Sequence, residues 1–185
     1  MMERRKTRVI FVVLVHQQQK GDVGDETQKR RMKTVEDSKV EVTYVVRPAH
    51  LNGAGRLFGG QLMQWIDAIA ALVARKHAQT GVVTAAVDNL KFIRGAYQND
   101  LVVLIGKLVY VGHTSMEVRV DTYLEDEEGI RKPINRAYLI EVAMDQDGKT
   151  VTVPGLTLST ESERAEWEAA LKRREIRKQA RQEGF

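Results

Sequence analysis

Residues 52–76 read NGAGRLFGGQLMQWIDAIAALVARK, a glycine-rich loop that runs directly into an apolar stretch. From Gly60 to about Lys76 the length and residue types predict a helix that is apolar on nearly every side, so we expect protein to surround it. One carboxylate, Asp67, stands in the middle of this stretch. Because a buried charge without a partner is costly, the sequence marks Asp67 as a candidate functional residue.

Length and composition bound the class of protein. The 185 residues suit a single domain. No apolar run is long enough to cross a bilayer, and the chain has no cysteine for disulfides, thiolate ligands or nucleophiles. We therefore expect a cytoplasmic protein without membrane insertion. The net charge of +4 is mild and lies mostly at the chain ends, which favours an anionic small-molecule partner over nucleic acid.

The first 37 residues differ from the rest of the chain. A basic segment precedes the run VIFVVLV at residues 9–15, but the run is short and no small-residue cleavage site follows, so it makes a poor signal peptide. Residues 21–31 are polar, which predicts disorder. We therefore interpret residues 1–37 as an extension outside the domain, disordered or arising from an early start codon, with Met32 as the functional start.

Downstream of residue 40 the pattern predicts an α+β domain, residues 38–158. One strand precedes the helix, and four long strand-like stretches follow it, so a curved antiparallel sheet can wrap around a central helix. Residues 159–185 predict a C-terminal amphipathic helix, which begins with a capping box of Thr160 and Glu163 and ends in strongly basic turns. The strand-like stretches are residues 41–46, 82–93, 101–111, 115–124 and 135–144.

Four blocks of sequence occur in order between residues 40 and 181. They are Asn52 with the FGGQL and WID segments, VTAAVD at 83–88, GHTSMEV at 112–118, and Val153-Pro154 before the tail helix. In this order and spacing the chain resembles the acyl-CoA hydrolase branch of the hotdog-fold thioesterases. The resemblance implies a single hotdog domain that hydrolyses fatty acyl-CoA to free acid and CoA. It also implies active sites built across a dimer, dimers assembled as a trimer of dimers, and no cofactor, because CoA is part of the substrate.

The residues supply a physical account beside this resemblance. A thioester carbonyl attacked by water develops negative charge on its oxygen, and unpaired N–H groups at a helix N-terminus can stabilise that charge. Gly59 and Gly60 stand at that terminus, and we assign the oxyanion contact to the N–H of Gly60. Asp67 lies about 10 Å further along the helix, too far to share one carbonyl with Gly60. The resemblance resolves this by pairing Asp67 of one chain with Asn52 and the glycines of the other.

Roles follow for the two polar side chains. Asp67 would act as general base toward water, with nucleophilic attack through a mixed anhydride as the alternative, and Asn52 would orient the water or the thioester. The structural alternatives are a buried acid satisfied by backbone or by the Thr84 hydroxyl, and an ordinary turn residue in an Asn-Gly pair. No grouping of histidines or carboxylates has metal-ligand spacing, so we expect no metal.

The resemblance also implies positions for the CoA moiety. Its pantetheine arm would follow the strand after the central helix and the TSM bend, and basic residues of the tail helix would face its phosphates, although a solvated basic helix end is the alternative there. The matching positions are Gly59, Thr84, Ala85, Ala86, Val87, Gly112, Thr114, Ser115 and Met116, with Arg173, Arg174 and Arg177 on the tail helix.

Two other functions use the same fold. A non-catalytic acyl-CoA-binding regulator would need a DNA-binding helix pair, for which residues 1–39 are short and unpatterned. A hydroxyacyl-thioester dehydratase would need a histidine and a carboxylate across the dimer, and His50 is the only nearby histidine in the upstream loop. Gel-shift binding would support the first alternative and dehydratase turnover the second.

Overall fold

The computed structural model describes residues 30–88 and 90–184. The signal-like run at residues 9–15 lies outside the described residues, and so does most of the segment predicted to be disordered. A short 3-10 turn at Pro48–His50 precedes the central helix. The strands are β1 (Met32–Thr34), β2 (Val40–Val45), β3 (Gly81–Asp88), β4 (Leu101–Val111), β5 (Ser115–Glu125), β6 (Arg131–Met144) and β7 (Gly155–Thr157), and the helices are α1 (Gly59–Ala78) and α2 (Glu161–Gln182).

Five strands form one antiparallel sheet in the order β2-β4-β5-β6-β3. The sheet curls around α1, and α2 packs on its outer face against β4. This confirms the predicted α+β arrangement of a curved sheet, a central helix and a C-terminal helix. Because β2 and β3 are the two edges, each leaves a row of backbone groups without a partner strand in the single chain.

The core lies between α1 and the inner face of the sheet. Ile66, Ile69 and Val73 of α1 are almost completely buried there. Gly106 of β4 lets the helix approach closely, because a Cβ at that position would lie 2.7 Å from Ile69 Cγ2 and 2.9 Å from Val73 Cγ2. Each buried aliphatic side chain stabilises the fold by about 2 kcal/mol.

One side of α1 remains exposed among the described residues, so the expectation that protein surrounds this helix is met on one side only. Met63 is 42% and Leu72 45% exposed, and Asp67 lies on the same exposed side. The sequence pattern was apolar all round because this side is apolar too. The exposed side of α1 is therefore an apolar surface that residues 30–88 and 90–184 do not cover.

The edge strand β3 contains a β-bulge at Ala85. Thr84 pairs with Glu141 and Ala86 with Ile140, so Ala85 is the extra residue between them. The bulge reverses the alternation of side chains along the strand. As a result Thr84 and Val87 both lie over inner-face residues of β6, whereas Asp88 reaches α2 on the outer face.

Residues 30–37 pack against the domain rather than extending away from it. Strand β1 pairs in parallel with β7, and the neighbouring Val35 is 2% exposed in the core. The guanidinium of Arg30 donates to the carbonyl of Val153 at 2.7 Å. The domain of the described chain thus includes residues that the sequence analysis placed in the extension, because three-residue strands carry too little pattern to detect.

Helix α2 is anchored to the sheet by buried ion pairs. Glu117 of β5 is 1% exposed, and its two carboxylate oxygens bind Arg173 and Arg177, each at 2.6 Å. Arg177 also binds Asp88 at 2.5 Å, and the guanidinium of Arg173 stacks 3.8 Å above the ring of Tyr138. These contacts join the helix to three strands. Within the described residues, neither helix is long and apolar enough to span a membrane.

Replacing Glu117 with glutamine will lower the free energy of unfolding by about 3 kcal/mol, because two guanidinium groups lose their buried partner. Urea denaturation followed by circular dichroism measures the change. The exposed pair of Lys39 and Glu36 offers the matched control, since Glu36→Gln at the surface should change stability by less than about 0.5 kcal/mol. Equal effects of the two substitutions would contradict the structural role of Glu117.

Candidate active site

Asp67 and Thr84 form the centre of the candidate site. The hydroxyl of Thr84 donates to Oδ1 of Asp67 at 2.7 Å, which joins the middle of α1 to the inner face of β3. Among the described residues, the hydrogen bonds of Asp67 involve only Oδ1, so Oδ2 can accept from a water molecule. The contact with the Thr84 hydroxyl, predicted as the structural alternative for Asp67, is therefore present. The second carboxylate oxygen of Asp67 is still able to accept a proton.

Glu141 lies directly behind this pair and was not singled out from the sequence. Its side chain is completely buried on β6, and its Oε1 is 3.1 Å from the Thr84 hydroxyl oxygen. Burial, with a smaller contribution from the negative charge of Asp67, raises the pKa of Glu141 from 4.5 to about 7. The signal in the sequence was period-two alternation, because Glu141 occupies an inner-face position between Leu139 and Ala143.

The glycines stand where α1 begins. Gly59 and Gly60 are its first two residues, so the helix provides no carbonyl for their N–H groups. A Cβ on Gly60 would come within 2.5 Å of the Phe58 ring, and one on Gly59 within 3.3 Å of the Phe92 ring. Gly60 and Asp67 border the same cavity of about 270 Å³, which is lined by Gly60, Met63, Gln64, Ile66, Asp67, Val87, Leu90 and Leu139.

Asn52 is fixed in the loop that leads to α1. Its Oδ1 accepts hydrogen bonds from the backbone N–H of Ala54 at 2.9 Å and of Arg56 at 3.2 Å. Asn52 therefore does form the turn that was its structural alternative. These bonds use only the amide oxygen, so the side-chain NH₂ group remains able to donate to a water or a thioester.

The predicted CoA positions on β3 and the bend fall into two groups. Thr84 contacts Asp67, and Val87 lines the cavity. Ala86, which follows the bulge, does not line the cavity. Met116 is 1% exposed in the core, and its neighbours make main-chain bonds at the bend, where the N–H of Gly112 donates to Ser115. The other positions outside the cavity lining are Ala85, Gly112, Thr114 and Ser115.

The three predicted arginines of α2 differ in their surroundings. Arg173 and Arg177 form ion pairs with Glu117 and Asp88, so their charges hold α2 on the sheet. Arg174 is exposed beside Lys178 along an open groove of α2, and it lies 5.7 Å above the ring of Tyr110. Among the three predicted positions, Arg174 is thus the one best placed to meet a phosphate. The CoA contacts themselves stay predictions.

Known proteins similar to this chain are thioester hydrolases. A family profile described as the thioesterase superfamily matches residues 54–130. A Bacillus subtilis protein named as an uncharacterized acyl-CoA thioester hydrolase is 39% identical over 128 residues, which cover 69% of this chain and 74% of that protein. The acetyl-coenzyme A thioesterase of Rattus norvegicus is 33% identical over 147 residues, which cover 79% of this chain and 26% of that protein.

Solved structures similar to this chain are also of acyl-CoA hydrolases and thioesterases. An acyl-CoA hydrolase from Staphylococcus aureus in complex with coenzyme A is 35% identical with a TM-score of 0.79, covering 83% of this chain and 93% of that one. Structures of that hydrolase include variants with an asparagine, an aspartate or a threonine replaced by alanine. A hexameric acyl-CoA thioesterase is 38% identical with a TM-score of 0.78, covering 81% of this chain and 97% of that one. With its sheet wrapped around α1, this chain belongs to the acyl-CoA thioester hydrolases of the thioesterase superfamily, which share the hotdog fold.

Proposed function

We propose that this chain hydrolyses acyl-CoA to a free fatty acid and CoA, with Asp67 as the general base. The observation that carries the proposal is the hydrogen bond between Asp67 and Thr84 beside the cavity that Asp67 borders. Thr84 holds one carboxylate oxygen, and the other makes no hydrogen bond within the described residues, so it can accept from a water molecule. The reaction needs only water and the thioester, so we expect no cofactor and no metal.

The chemistry follows from these positions. The oxygen of a water molecule attacks the carbonyl carbon while Oδ2 of Asp67 accepts its proton. The negative charge that develops on the carbonyl oxygen is stabilised by the Gly60 N–H of a second copy of the chain, where the dipole of that copy's α1 adds to the effect. The tetrahedral intermediate then breaks its C–S bond, and protonated Asp67 returns the proton to the leaving thiolate.

Two subunits complete the site in this proposal. Gly60 and Asp67 are two helical turns apart in one chain, about 10 Å by helical rise, so they cannot both contact one thioester. The apolar exposed side of α1 and the unpaired edge β3 are the surfaces that a second copy would cover. Several solved relatives are hexameric by name, which supports a dimer assembled further as a trimer of dimers.

The S. aureus hydrolase supports the choice of residues. Its asparagine, aspartate and threonine variants were made at positions with the same spacing along the chain as Asn52, Asp67 and Thr84. In this chain the aspartate and the threonine are joined by a hydrogen bond, and the asparagine is fixed by its turn. We therefore assign the base to Asp67, its orientation to Thr84, and the donor toward water or thioester to Asn52.

Replacing Asn52 with aspartate will lower kcat at least about tenfold, because the substitution keeps the acceptor oxygen of the turn but removes the NH₂ donor. Thermal unfolding should remain within a few degrees of wild type, since the bonds from Ala54 and Arg56 survive. Asn52→Ala, which removes both groups, separates the two effects by also lowering the melting temperature. A fully active Asn52→Asp enzyme would remove Asn52 from the mechanism.

The proposed activity is tested directly with acyl-CoAs of increasing chain length. Free CoA is detected with a thiol reagent, and because the chain has no cysteine the protein adds no background. Release of CoA from at least one chain length supports the proposal, and the series also gives the acyl preference. Binding of every acyl-CoA without release of CoA would support a sensor instead. The cytoplasmic location stays a prediction that cell fractionation would test.

A further inference from the structure

One hydroxyl lies between two carboxyl groups in this site. The Thr84 oxygen is 2.7 Å from Oδ1 of Asp67 and 3.1 Å from Oε1 of Glu141. A hydroxyl carries one proton, so Thr84 can donate to one carboxylate but never to both. Both contacts can be hydrogen bonds only if one of the two carboxyl groups is protonated and donates to Thr84.

Burial decides which of the two carboxyl groups holds that proton. Glu141 is completely buried, whereas Asp67 is exposed at the cavity in the single chain. The second oxygen of Glu141, Oε2, is buried and has no hydrogen-bond partner among residues 30–88 and 90–184. Since a buried carboxylate without compensating donors is strongly disfavoured, Glu141 is the group that keeps the proton.

The surroundings of Glu141 contain no described counter-ion. From α1 it faces Asp67, which is negative, and its paired neighbours on β3 and β5 are Thr84 and Met116, which are neutral. Arg119 of β5 binds Asp121 and Glu166, and Arg173 and Arg177 of α2 bind Glu117 on the outer face of the sheet. The pKa of Glu141, raised to about 7 by burial and then by Asp67, agrees with this arrangement.

We propose that Glu141 is a positioning residue of the hydrolase site, whose protonated carboxyl donates to Thr84 and thereby directs the Thr84 proton onto Oδ1 of Asp67. The chain of bonds runs from Glu141 through Thr84 to Asp67 in one direction. It fixes the carboxylate plane of Asp67 and leaves Oδ2 for the attacking water. The inference rests on the proposed hydrolase function and adds a residue to it.

The direction of these two hydrogen bonds depends on pH. When Glu141 loses its proton, two carboxylates compete for the single Thr84 proton, and Asp67 loses its fixed orientation. The kcat of the wild-type enzyme should therefore fall as pH rises through about 7. The expected change is therefore confined to the alkaline side of the profile, where Glu141 loses its proton.

The decisive experiment compares kcat and KM from pH 5.5 to 8.5 in wild type, Glu141→Gln and Glu141→Met. Glutamine donates to Thr84 at every pH and cannot ionise, so its profile should lose the alkaline limb. Methionine fills the site without a donor, so kcat below pH 7 should fall about fivefold with KM little changed, as for one lost hydrogen bond. Rescue by glutamine but not by methionine supports the inference.

The matched control is Glu117→Gln, which removes a second buried carboxylate that side chains bind. It costs stability but lies on the outer face, so its pH profile should keep the wild-type shape. An unchanged alkaline limb in Glu141→Gln, together with wild-type kcat in Glu141→Met, would overturn the inference while leaving the hydrolase function intact.

A second measurement does not depend on activity. Carboxyl-carbon NMR of the wild-type protein should show the Glu141 carboxyl titrating near 7, and that signal should be absent from Glu141→Gln. A Glu141 midpoint near its ordinary value of 4.5 would overturn the inference. A protein that releases no CoA but shows the raised midpoint would contradict only the proposed function.

Discussion

Replacing Asp67 with asparagine will lower kcat for acyl-CoA hydrolysis by about 10²- to 10⁴-fold, the range for loss of a general base. Asparagine has nearly the same shape, and its Oδ1 can still accept the hydrogen bond from Thr84. KM should therefore change little, and the fold and assembly should persist. Steady-state release of CoA, with circular dichroism and size-exclusion chromatography on the same samples, checks all three expectations.

Asp88→Asn is the matched control for this substitution. It also removes a carboxylate near β3, but one that faces α2, where it binds Arg177. Its kcat should fall far less than that of Asp67→Asn, because Asp88 contacts neither Asp67 nor the cavity. If Asp67→Asn stayed close to wild type, Asp67 would not be the base, and the site would need another proton acceptor.

Mixing two inactive proteins should restore activity if each site draws on both subunits. A heterodimer of Asp67→Asn and Asn52→Ala carries both defects in one site and none in the other. With random pairing, half of the dimers are mixed and each has one intact site, so the mixture should recover about a quarter of the wild-type activity. The assay uses the two variants unfolded and refolded together, or co-expressed with different tags.

The controls are each variant refolded alone and the double variant Asp67→Asn/Asn52→Ala refolded with wild type. Each single variant alone should stay inactive. In the second control, mixed dimers contain one defective residue in each site, so they should be inactive and activity should also fall to about a quarter. A mixture of single variants that stays inactive would show that Asn52 and Asp67 act within one chain.

Much of the fold was predictable because its elements are long and strongly patterned. The bounds of β4 and the start of β5 agree with the sequence, since both strands are bordered by turn residues around Gly112. The predicted strand at 82–93 ends at Asp88 instead. Beyond Asp88 the apolar residues Phe92 and Ile93 are exposed, so their residue type indicated a strand that the sheet does not continue.

The pairing of the α2 arginines was not predictable, because it depends on which face of the sheet the helix covers. The sequence of a basic helix end has the same pattern whether its arginines bind phosphates or buried carboxylates. Glu117 stands on β5, far from Arg177 in the sequence, and the two meet only after folding. Asp67, in contrast, stands out in the sequence as one charge among apolar neighbours, and its contact with Thr84 was anticipated, whereas its role as a base stays a prediction.

Glu141 shows why alternation must be read for polar residues as well as apolar ones. In the stretch from Ala137 to Ala143 every second side chain is buried, and Glu141 is the polar member of that series. The apolar residues alone predict the strand correctly, but they do not indicate that Glu141 is buried on its inner face. A carboxyl group on the inner face of a sheet must find a partner there, and Thr84 supplies it.

Val87 and Asp88 are consecutive residues whose side chains make contacts on opposite faces of β3. Val87 lines the cavity, and Asp88 holds Arg177 of α2, an arrangement that the extra residue in the strand makes possible. The wall of this cavity is thus joined, through one peptide bond, to an ion pair on the far side of the sheet. A substitution at that ion pair would act on the cavity from a distance, without removing any atom that lines it.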